Sequence, residues 1–474
     1  MIKITFFCLL LLLSVKSYSQ NFIWANHFKG PGNDLMNEIV RDSDNNLYAT
    51  GSGSSSLFSP GSGGGLFLTK FNKDGNVLWT RSFSVPGTGR EICLDNSGNI
   101  YMAGDIYGYA NFGIAHFNPN HIDAFIAKFD PNGKLIWIKQ IKGRGYVFSR
   151  SISADDHGGC YITGTFNDTI TFPGNSQLPN NSVDTDVDDL FLAKFDTAGN
   201  FTWSKHFTGL GGEMGTKIKC AYPFIYLAGE FSYQMYCDTY TVIHNGGGNN
   251  NDIFFSKLGI NGTVHWIKTA GSSGPDQLND LFLDAKENIY LTGYVTTPAY
   301  FDNIEVNNTV TGRPILYISK YDSTGNIKWV STGESEDFSV GSCITINSNE
   351  DILVSGLFRD NISFENNFSL AAASNTVHNF FLAKFKSNGS FDWAYRVDKK
   401  GSLGTASLLA DKDDGSVYFG GVFDYEVVFP TDNGDIILNA YYQNPHFDVY
   451  MAKYKDPTFK PVTTNIAPSP VKKK

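Results

Sequence analysis

The chain has 474 residues, of which 48 are glycine and 15% are aromatic, and its formal net charge at pH 7 is −10. An acidic chain without a stripe of Lys or Arg would repel a phosphate backbone, so nucleic acid is not an expected partner. Abundant Gly and aromatic residues, without long segments of helical apolar spacing, predict an all-β protein.

The first twenty residues, MIKITFFCLLLLLSVKSYSQ, differ in pattern from the rest of the chain. Lys3 precedes an apolar run over residues 6–13, and the small residues Ser17 and Ser19 follow it. This order is typical of a secretory signal peptide, and the run is too short to span a bilayer. The sequence therefore predicts a signal peptide over residues 1–20 and an exported protein that is secreted, periplasmic or associated with the cell surface. It does not predict an integral membrane protein.

A fourteen-residue phrase, LFLAKFDTAGNFTW at residues 190–203, recurs along the remaining chain. Six copies end in Trp, whereas a seventh, which starts at Val449, stops before any Trp. The missing Trp is found near the other end of the chain, in FIWANHF. Each tryptophan thus occupies the same repeat position: Trp24, Trp79, Trp137, Trp203, Trp266, Trp329 and Trp393.

A second phrase keeps the same spacing and ends at Gly51, Gly104, Gly164, Gly229, Gly293, Gly356 and Gly421. Six of the seven copies have the form Tyr-x-x-Gly, and the copy that ends at Gly356 has Leu353 in place of the Tyr. Alternation of Phe191, Ala193 and Phe195 on one face is typical of a β-strand. The D-x-x-G-N segments that follow such strands favour tight turns, because Asp can hydrogen-bond the turn backbone and Gly can adopt positive φ. Each repeat therefore predicts about four short antiparallel strands.

Four-stranded sheets repeated seven times can bury their faces by packing radially on one another. Because the last repeat lacks its Trp strand and the N-terminus supplies one, we expect the two ends to pair in a single blade. The sequence predicts a seven-bladed β-propeller over residues 21–457, closed by the Trp24 strand. A flexible tail that contains Pro and Lys is expected over residues 458–474.

These motifs, D-x-x-G-N-x-Y-x-x-G and D-x-F-x-x-K-x-D-x-x-G-x-x-x-W, resemble the SBBP-type β-propeller repeats of exported bacterial proteins. The resemblance covers nearly the whole chain after the predicted signal peptide. It implies the propeller fold and export, but it implies no particular chemistry.

The cysteines and histidines form no recognisable catalytic or metal motif. Five cysteines follow the predicted signal peptide, without a C-x-x-C pair, so most are expected to be buried small residues. Cys220 and Cys237 are the pair that an oxidising compartment could join. His27 and His206 each lie three residues after a repeat Trp, and we expect both to have structural roles at the surface.

Calcium is the one cofactor that the sequence suggests. DTDVDD places Asp184, Asp186 and Asp188 in one loop, with alternating oxygen ligands as in calcium sites. The loop lacks the Gly bend and the distant Glu of an EF-hand, so the alternative is an acidic loop without metal. No other cofactor is predicted.

A candidate ligand site is predicted at the mouth of the central channel. The charged residues near the start of the innermost strands are Glu38, Arg90, Glu91, Arg150, Lys217 and Asp280. A funnel of charges can orient a polar ligand, whereas a solvated channel lining is the alternative. The long loops between second and third strands, such as residues 107–122 and 232–251, are expected to surround the same mouth.

Two functional hypotheses follow. The favoured one is a non-catalytic binding or scaffold module that recognises an extracellular or cell-surface protein or glycan through aromatic residues of these loops. The alternative is a polysaccharide lyase or hydrolase that uses carboxylates at the channel mouth, which requires an acid/base pair aimed at a common point. No catalytic residue is assigned, because the fold alone does not choose between these classes.

Overall fold

The computed structural model describes residues 22–54, 57, 64–155, 157–180, 187–244, 250–372, 378–411, 413–441, 446–456 and 458–460. Over these ranges the chain is an all-β propeller of seven blades, each with four antiparallel strands, as the sequence predicts. The only helical segment in them is a 3₁₀ turn at Glu365–Asn367. None of the described segments is a helix that could cross a membrane.

The strands follow the sequence repeats, and β1, Phe22–Phe28, precedes the first repeat. Blade 1 contains β2 Leu35–Arg41, β3 Leu47–Gly53, β4 Gly65–Phe71 and β5 Val77–Phe83. Blade 2 contains β6 Gly87–Leu94, β7 Ile100–Tyr107, β8 Ala110–Asn111, β9 His116–Phe117, β10 Ile122–Phe129 and β11 Leu135–Gly143. Blade 3 contains β12 Val147–Ala154, β13 Cys160–Phe166, β14 Ile170–Thr171, β15 Gln177–Leu178, β16 Asp189–Phe195 and β17 Phe201–Gly209.

The later repeats continue the same order. Blade 4 contains β18 Glu213–Ala221, β19 Phe224–Ser232, β20 Gln234–Cys237, β21 Tyr240–Ile243, β22 Asn251–Gly259 and β23 Val264–Ser272. Blade 5 contains β24 Gln277–Leu283, β25 Ile289–Thr296, β26 Ala299–Phe301, β27 Ile304–Val306, β28 Pro314–Tyr321 and β29 Ile327–Ser335. Blade 6 contains β30 Phe338–Ile346, β31 Ile352–Arg359, β32 Asn361–Phe364, β33 Phe368–Ala371, β34 Asn379–Phe385 and β35 Phe391–Lys400. Blade 7 contains β36 Leu403–Ala410, β37 Ser416–Phe423, β38 Glu426–Phe429, β39 Ile436–Asn439 and β40 Asp448–Lys455.

The ring is closed by the two ends of the chain. β1 pairs antiparallel with β40 and becomes the outermost strand of blade 7, in the order β1-β40-β37-β36. Phe22 packs edge-on against Phe429 and Tyr454, with ring centroids 5.0 and 5.2 Å away. The predicted pairing of the Trp24 strand with the last repeat is therefore confirmed.

The repeated residues of the two phrases contact one another within each blade. In blade 1, Lys70 lies opposite Trp79, its ammonium is 4.7 Å from the ring centre of Tyr48, and it is 3.3 Å from a carboxylate oxygen of Asp42. Five further blades repeat the lysine–tyrosine contact, through Lys128–Tyr101, Lys194–Tyr161, Lys257–Tyr226, Lys320–Tyr290 and Lys453–Tyr418. The recurring Asp, Tyr, Lys and Trp thus form one structural unit, held by charge and cation–π contacts.

The repeat tryptophans also join each blade to the next. A Cβ atom placed on Gly133 would lie 2.7 Å from the Trp79 ring of the preceding blade, and one on Gly262 would lie 3.2 Å from Trp203. Both glycines have positive φ, +76° and +83°, as their tight turns require. Glycine therefore serves two purposes at this position, because it allows the turn and leaves room for the neighbouring indole.

Short hairpins connect adjacent blades at their outer edges. The β14–β15 hairpin, which lies between the second and third strands of blade 3, pairs with β11 of blade 2. Blades 4 to 7 repeat this arrangement with β20–β21 on β17, β26–β27 on β23, β32–β33 on β29 and β38–β39 on β35. The prediction that these loops encircle the channel mouth is therefore wrong for these hairpins, since each extends the outermost strand of the preceding blade.

Candidate functional site

The first strand of every blade lines the central channel, and each of these strands carries a β-bulge. First strands of neighbouring blades contact one another in cyclic order around the ring. In all seven, the pairing with the second strand skips one residue, as between Gly89 and Glu91. The residues that follow these bulges form the channel ring, namely Glu38, Glu91, Ser151, Lys217, Asp280, Cys343 and Ser407. Bulges re-aim side chains, and here the bulge precedes the equivalent ring residue in every blade.

Lys217 is the centre of the channel ring. Its Nζ lies 3.2 Å from Glu91 Oε2, 3.3 Å from Glu38 Oε2 and 4.0 Å from Asp280 Oδ1. Lys219 adds a second contact, with its Nζ 3.6 Å from Glu91 Oε1. The structure therefore brings together four of the six predicted site residues. They lie halfway along their strands, within the channel and not at its mouth as predicted.

The charges of the ring stabilise one another. Burial raises the pKa of Glu38 and of Asp280, and Lys217 opposes that rise. Burial alone would lower the pKa of Lys217, but Glu91, Glu38 and Asp280 raise it well above its usual value. The lysine is therefore charged throughout the neutral range and offsets one of the three carboxylate charges around it.

The ring side chains also join neighbouring blades. The Ser407 hydroxyl donates to Glu38 Oε1 at 2.7 Å, across the junction between blades 7 and 1. Asp280 Oδ2 accepts the backbone N–H of Ile344 in the next blade at 2.9 Å. Ser151 Oγ accepts that of Ile218 at 3.0 Å. The channel ring therefore acts as an electrostatic and hydrogen-bonded clasp, beside a cavity of about 570 Å³ in the channel.

Arg90 and Arg150, the other two predicted site residues, lie apart from the channel ring. Both are bulge residues, which the strand pairing skips. Arg90 donates from Nε to Asp105 Oδ2 at 2.6 Å. The Arg150 guanidinium lies 5.8 Å from the Phe148 ring centre, and burial lowers its pKa. The six predicted residues therefore do not form one site.

Two of the three calcium candidates, Asp184 and Asp186, lie outside the described residues. Asp188 is described. Burial raises the pKa of its carboxyl, whereas a hydrogen bond with Tyr146 and the charge of Arg150 act to lower that pKa. Among the residues that the structure describes, no group of three metal-ligating side chains is arranged to hold an ion. A calcium site at this loop stays a prediction.

The bonding of the cysteines and the burial of two histidines differ from the sequence-based predictions. No disulfide joins any of the five described cysteines, so the suggested Cys220–Cys237 bond is absent. Cys220 lies on an innermost strand, whereas Cys237 is buried on an outer hairpin. His27 and His206 are structural, as predicted, but they are not surface residues. Each side chain is about nine-tenths buried and contacts a buried aspartate.

Exposed apolar side chains concentrate on the face that carries the connections between blades and between second and third strands, here called the loop face. The exposed large residues there are Leu35, Tyr107, Tyr109, Ile114, Leu210, Tyr233, Tyr236, Ile243, Tyr300, Val310, Ile437 and Tyr441. Tyr107 and Tyr109 are 54% and 60% exposed. On the opposite face, Tyr222 in the β18–β19 turn is an exposed aromatic, and Ile23, Val77, Leu78 and Ile136, at the starts of outermost strands, are exposed aliphatic residues.

Sequence reasoning missed the neutral members of the channel ring, Ser151, Cys343 and Ser407. It selected charged residues only, so the seven-fold equivalence of the ring was not visible. Alignment of the repeats on their Tyr-x-x-Gly phrases supplies the signal, since each ring residue lies twelve to fourteen positions before the repeat glycine.

Comparison with models of known protein families gives no match. A curated relative, described as an uncharacterized WD repeat-containing protein of Acanthamoeba polyphaga mimivirus, is 23% identical over 471 residues, which cover 82% of this chain and 33% of the relative. The chain therefore spans about a third of the length of that relative. The strand topology defines a WD-repeat-like, seven-bladed β-propeller, in agreement with the relative's name.

Solved structures with similar folds include the Pan2 WD40 domain of Neurospora crassa, with 10% identity, a TM-score of 0.44 and coverage of 90% of this chain and 95% of that one. The polysaccharide lyase Uly1 has 11% identity, a TM-score of 0.40 and coverage of 94% of both chains.

Proposed function

We propose that this chain is an exported, non-catalytic binding or scaffold module that recognises a protein or glycan through the loop face of its propeller. The observation that carries this proposal is the concentration of exposed aromatic and aliphatic side chains on that face. Exposed apolar groups that recur on one side of a rigid scaffold are characteristic of interaction surfaces. Tyrosine suits such a surface, because its ring offers apolar contact and its hydroxyl offers a hydrogen bond.

The channel supports a non-catalytic function. An acid/base mechanism requires two titratable groups that are free to exchange protons with a common substrate atom. Glu38 instead receives hydrogen bonds from Ser407 and Lys217, and Asp280 receives the backbone N–H of Ile344. These partners assign the channel carboxylates to holding the ring together.

Export and the SBBP-type assignment belong to the same proposal. The basic, apolar and small-residue order of residues 1–20 supports export, although these residues lie outside those described. The repeated D-x-x-G-N and K-F-D phrases support the SBBP-type assignment. Detection of the protein in the culture medium or at the cell surface, with an N-terminus near residue 21, would test both localisation and cleavage.

A glycan array and a panel of cell-surface proteins test the recognition function directly. The purified chain, residues 21–474, is applied with and without added calcium, and binders are then incubated with the protein and analysed for cleavage products. Binding without products supports the proposal, and calcium dependence would point to the Asp184–Asp188 loop. Products from a polysaccharide would favour the lyase or hydrolase alternative.

A further inference from the structure

Three junctions between blades share a buried group of one histidine and two acidic residues. At each, the histidine contacts the first aspartate of the third strand, and a second acidic residue lies where the chain enters the next blade. The groups are His27, Asp448 and Asp34 between blades 7 and 1; His206, Asp189 and Glu213 between blades 3 and 4; and His244, Asp252 and Asp276 between blades 4 and 5. All six acidic side chains are at most 2% exposed.

The backbone geometry is the same at the three junctions. The N–H of each second acid donates to the carbonyl oxygen of the residue before the first aspartate, at 2.8 Å for Asp34 and 2.9 Å for both Glu213 and Asp276. This bond holds the second carboxyl beside the first. A glycine completes each group, since a Cβ on Gly209 would lie 2.1 Å from Glu213 Oε1, and one on Gly271 would lie 2.7 Å from Asp276 Oδ2.

The Glu213 junction shows why two carboxylates cannot both be charged there. His206 Nε2 lies 2.6 Å from Asp189 Oδ2, which leaves Asp189 Oδ1 without a donor among the described residues. Neither oxygen of Glu213 has such a donor, and burial together with the neighbouring Asp189 raises the pKa of the Glu213 carboxyl. Two adjacent buried carboxyl groups can share a hydrogen bond only when one of them is protonated.

The other two junctions place their second acid under the same influences. Burial, together with nearby Asp252, raises the pKa of Asp276 to about 8, although hydrogen bonds from Ser272 and Thr296 act to lower it. Burial and nearby Asp448 raise the pKa of Asp34, although hydrogen bonds from Ser54 act to lower it. Each histidine contacts the first aspartate, at 2.8, 2.6 and 3.3 Å for His27, His206 and His244, and so orients that carboxylate beside the second acid.

We propose that the second acid of each of these three blade junctions keeps its proton in the folded protein and thereby latches the junction, so that the ring loosens when the proton is lost. One latch lies at the closure between blades 7 and 1, where the two ends of the chain meet. The remaining junctions have Gly87, Val147, Ser339 and Leu403 at the position of the second acid, and these residues cannot retain a proton in this way.

The test is the melting temperature of the purified chain between pH 5 and pH 9. Because burial and Asp189 raise the pKa of Glu213 to about 10 in the folded protein, unfolding releases a proton and stability falls as pH rises above the ordinary glutamate range. Glu213→Gln, which mimics the protonated acid, removes this term. Other buried carboxyls, such as Glu230 with a pKa raised to about 7, also make the melting temperature depend on pH. The melting temperature of the variant is therefore compared with that of the parent at each pH.

The expected result is that Glu213→Gln gains several degrees on the parent protein between pH 5 and pH 9. Asp276→Asn should show the same gain, complete by about pH 8. Glu305→Gln removes an exposed acid of blade 5, and its melting temperature should differ from that of the parent by the same amount at every pH. If both junction variants also differed from the parent by an amount that does not change with pH, the proposal would be overturned. The absence of an infrared protonated-carboxyl band from the parent protein at pH 7 would also overturn it. This measurement needs the parent protein alone, so it decides the matter if Glu213→Gln does not fold.

Discussion

Trp24 on β1 lies directly opposite Lys453 on β40, so the first strand of the propeller pairs with the last. The same tryptophan–lysine register occurs within the interior blades, for example between Trp203 and Lys194. In blade 7 the two residues come from opposite ends of the chain. The ring is therefore closed by backbone hydrogen bonds of an ordinary repeat, to which the N-terminal segment contributes the missing strand.

Removal of residues 21–28 should destabilise the whole ring. The deletion exposes the edge of β40 and removes Phe22 from its aromatic neighbours, so a large fall in melting temperature, or failure to fold, is expected. Thermal unfolding followed by circular dichroism measures the change. Deletion of residues 461–474, which the sequence predicts to be a tail, is the control. Equal melting temperatures for the two deletions would refute closure by β1.

Substitution of Trp203 by Ala should reduce the free energy of unfolding by about 3 kcal/mol, the lower end of the range for large aromatic residues, because the indole is only partly buried. Its ring lies against Gly262 of the next blade, and its Nε1 donates to the Ile260 carbonyl oxygen at 3.3 Å. Denaturant unfolding provides the measurement. A loss below about 1 kcal/mol would show that the junction does not depend on this contact.

Replacement of Lys217 by Met should destabilise the protein by about 3–5 kcal/mol at pH 7, because Glu38, Glu91 and Asp280 would lose their shared cation. Burial already raises the pKa of Glu38 and Asp280, so these acids regain protons early as pH falls. The deficit should therefore shrink between pH 7 and pH 4. The double variant with Glu91→Gln should recover part of the loss. A deficit that is independent of pH would contradict the clasp.

Arg90 and Arg150 provide a matched pair. Arg90→Met removes the cation beside buried Asp105 and should cost roughly 2 kcal/mol, less than a fully buried pair because 37% of the Arg90 side chain is exposed. Arg150→Met breaks no ion pair among the described residues, although its charge acts on the nearby Asp188 carboxyl, and it should cost less stability than Arg90→Met. Unfolding of both variants at pH 7 measures the difference. Equal losses of stability in the two variants would show that the Arg90–Asp105 ion pair does not account for the effect of Arg90→Met.

The fold was predictable because its signals are local and repeated. Alternation around Phe191, the turn before Asn200 and the offset of Trp24 together indicate strands, hairpins and closure. The channel ring was not predictable to the same degree. Strand alternation cannot show whether Arg90 or Glu91 faces the channel, since a β-bulge decides this, and alternation carries no signal for a bulge at that position.

Long-range charge pairing was also outside the reach of sequence reasoning. Lys217 meets Glu38, which is 179 residues away in the chain, and only the closed ring brings them together. His206 and Asp189 lie on adjacent strands of one blade, and their pairing follows from the antiparallel register. Glu213 belongs to the next blade, so its place beside them depends on how the two blades pack.

The measurement that tests the central claim most directly is a comparison of four proteins on one glycan and surface-protein array. These are the parent chain, a loop-face variant with Tyr107→Ala and Tyr109→Ala, a channel variant with Lys217→Met, and an opposite-face variant with Tyr222→Ala. Recognition through the loop face predicts at least a tenfold loss of binding for the first variant only, about 1.4 kcal/mol. Full binding by the loop-face variant, with loss in the channel variant while it remains folded, would contradict the account.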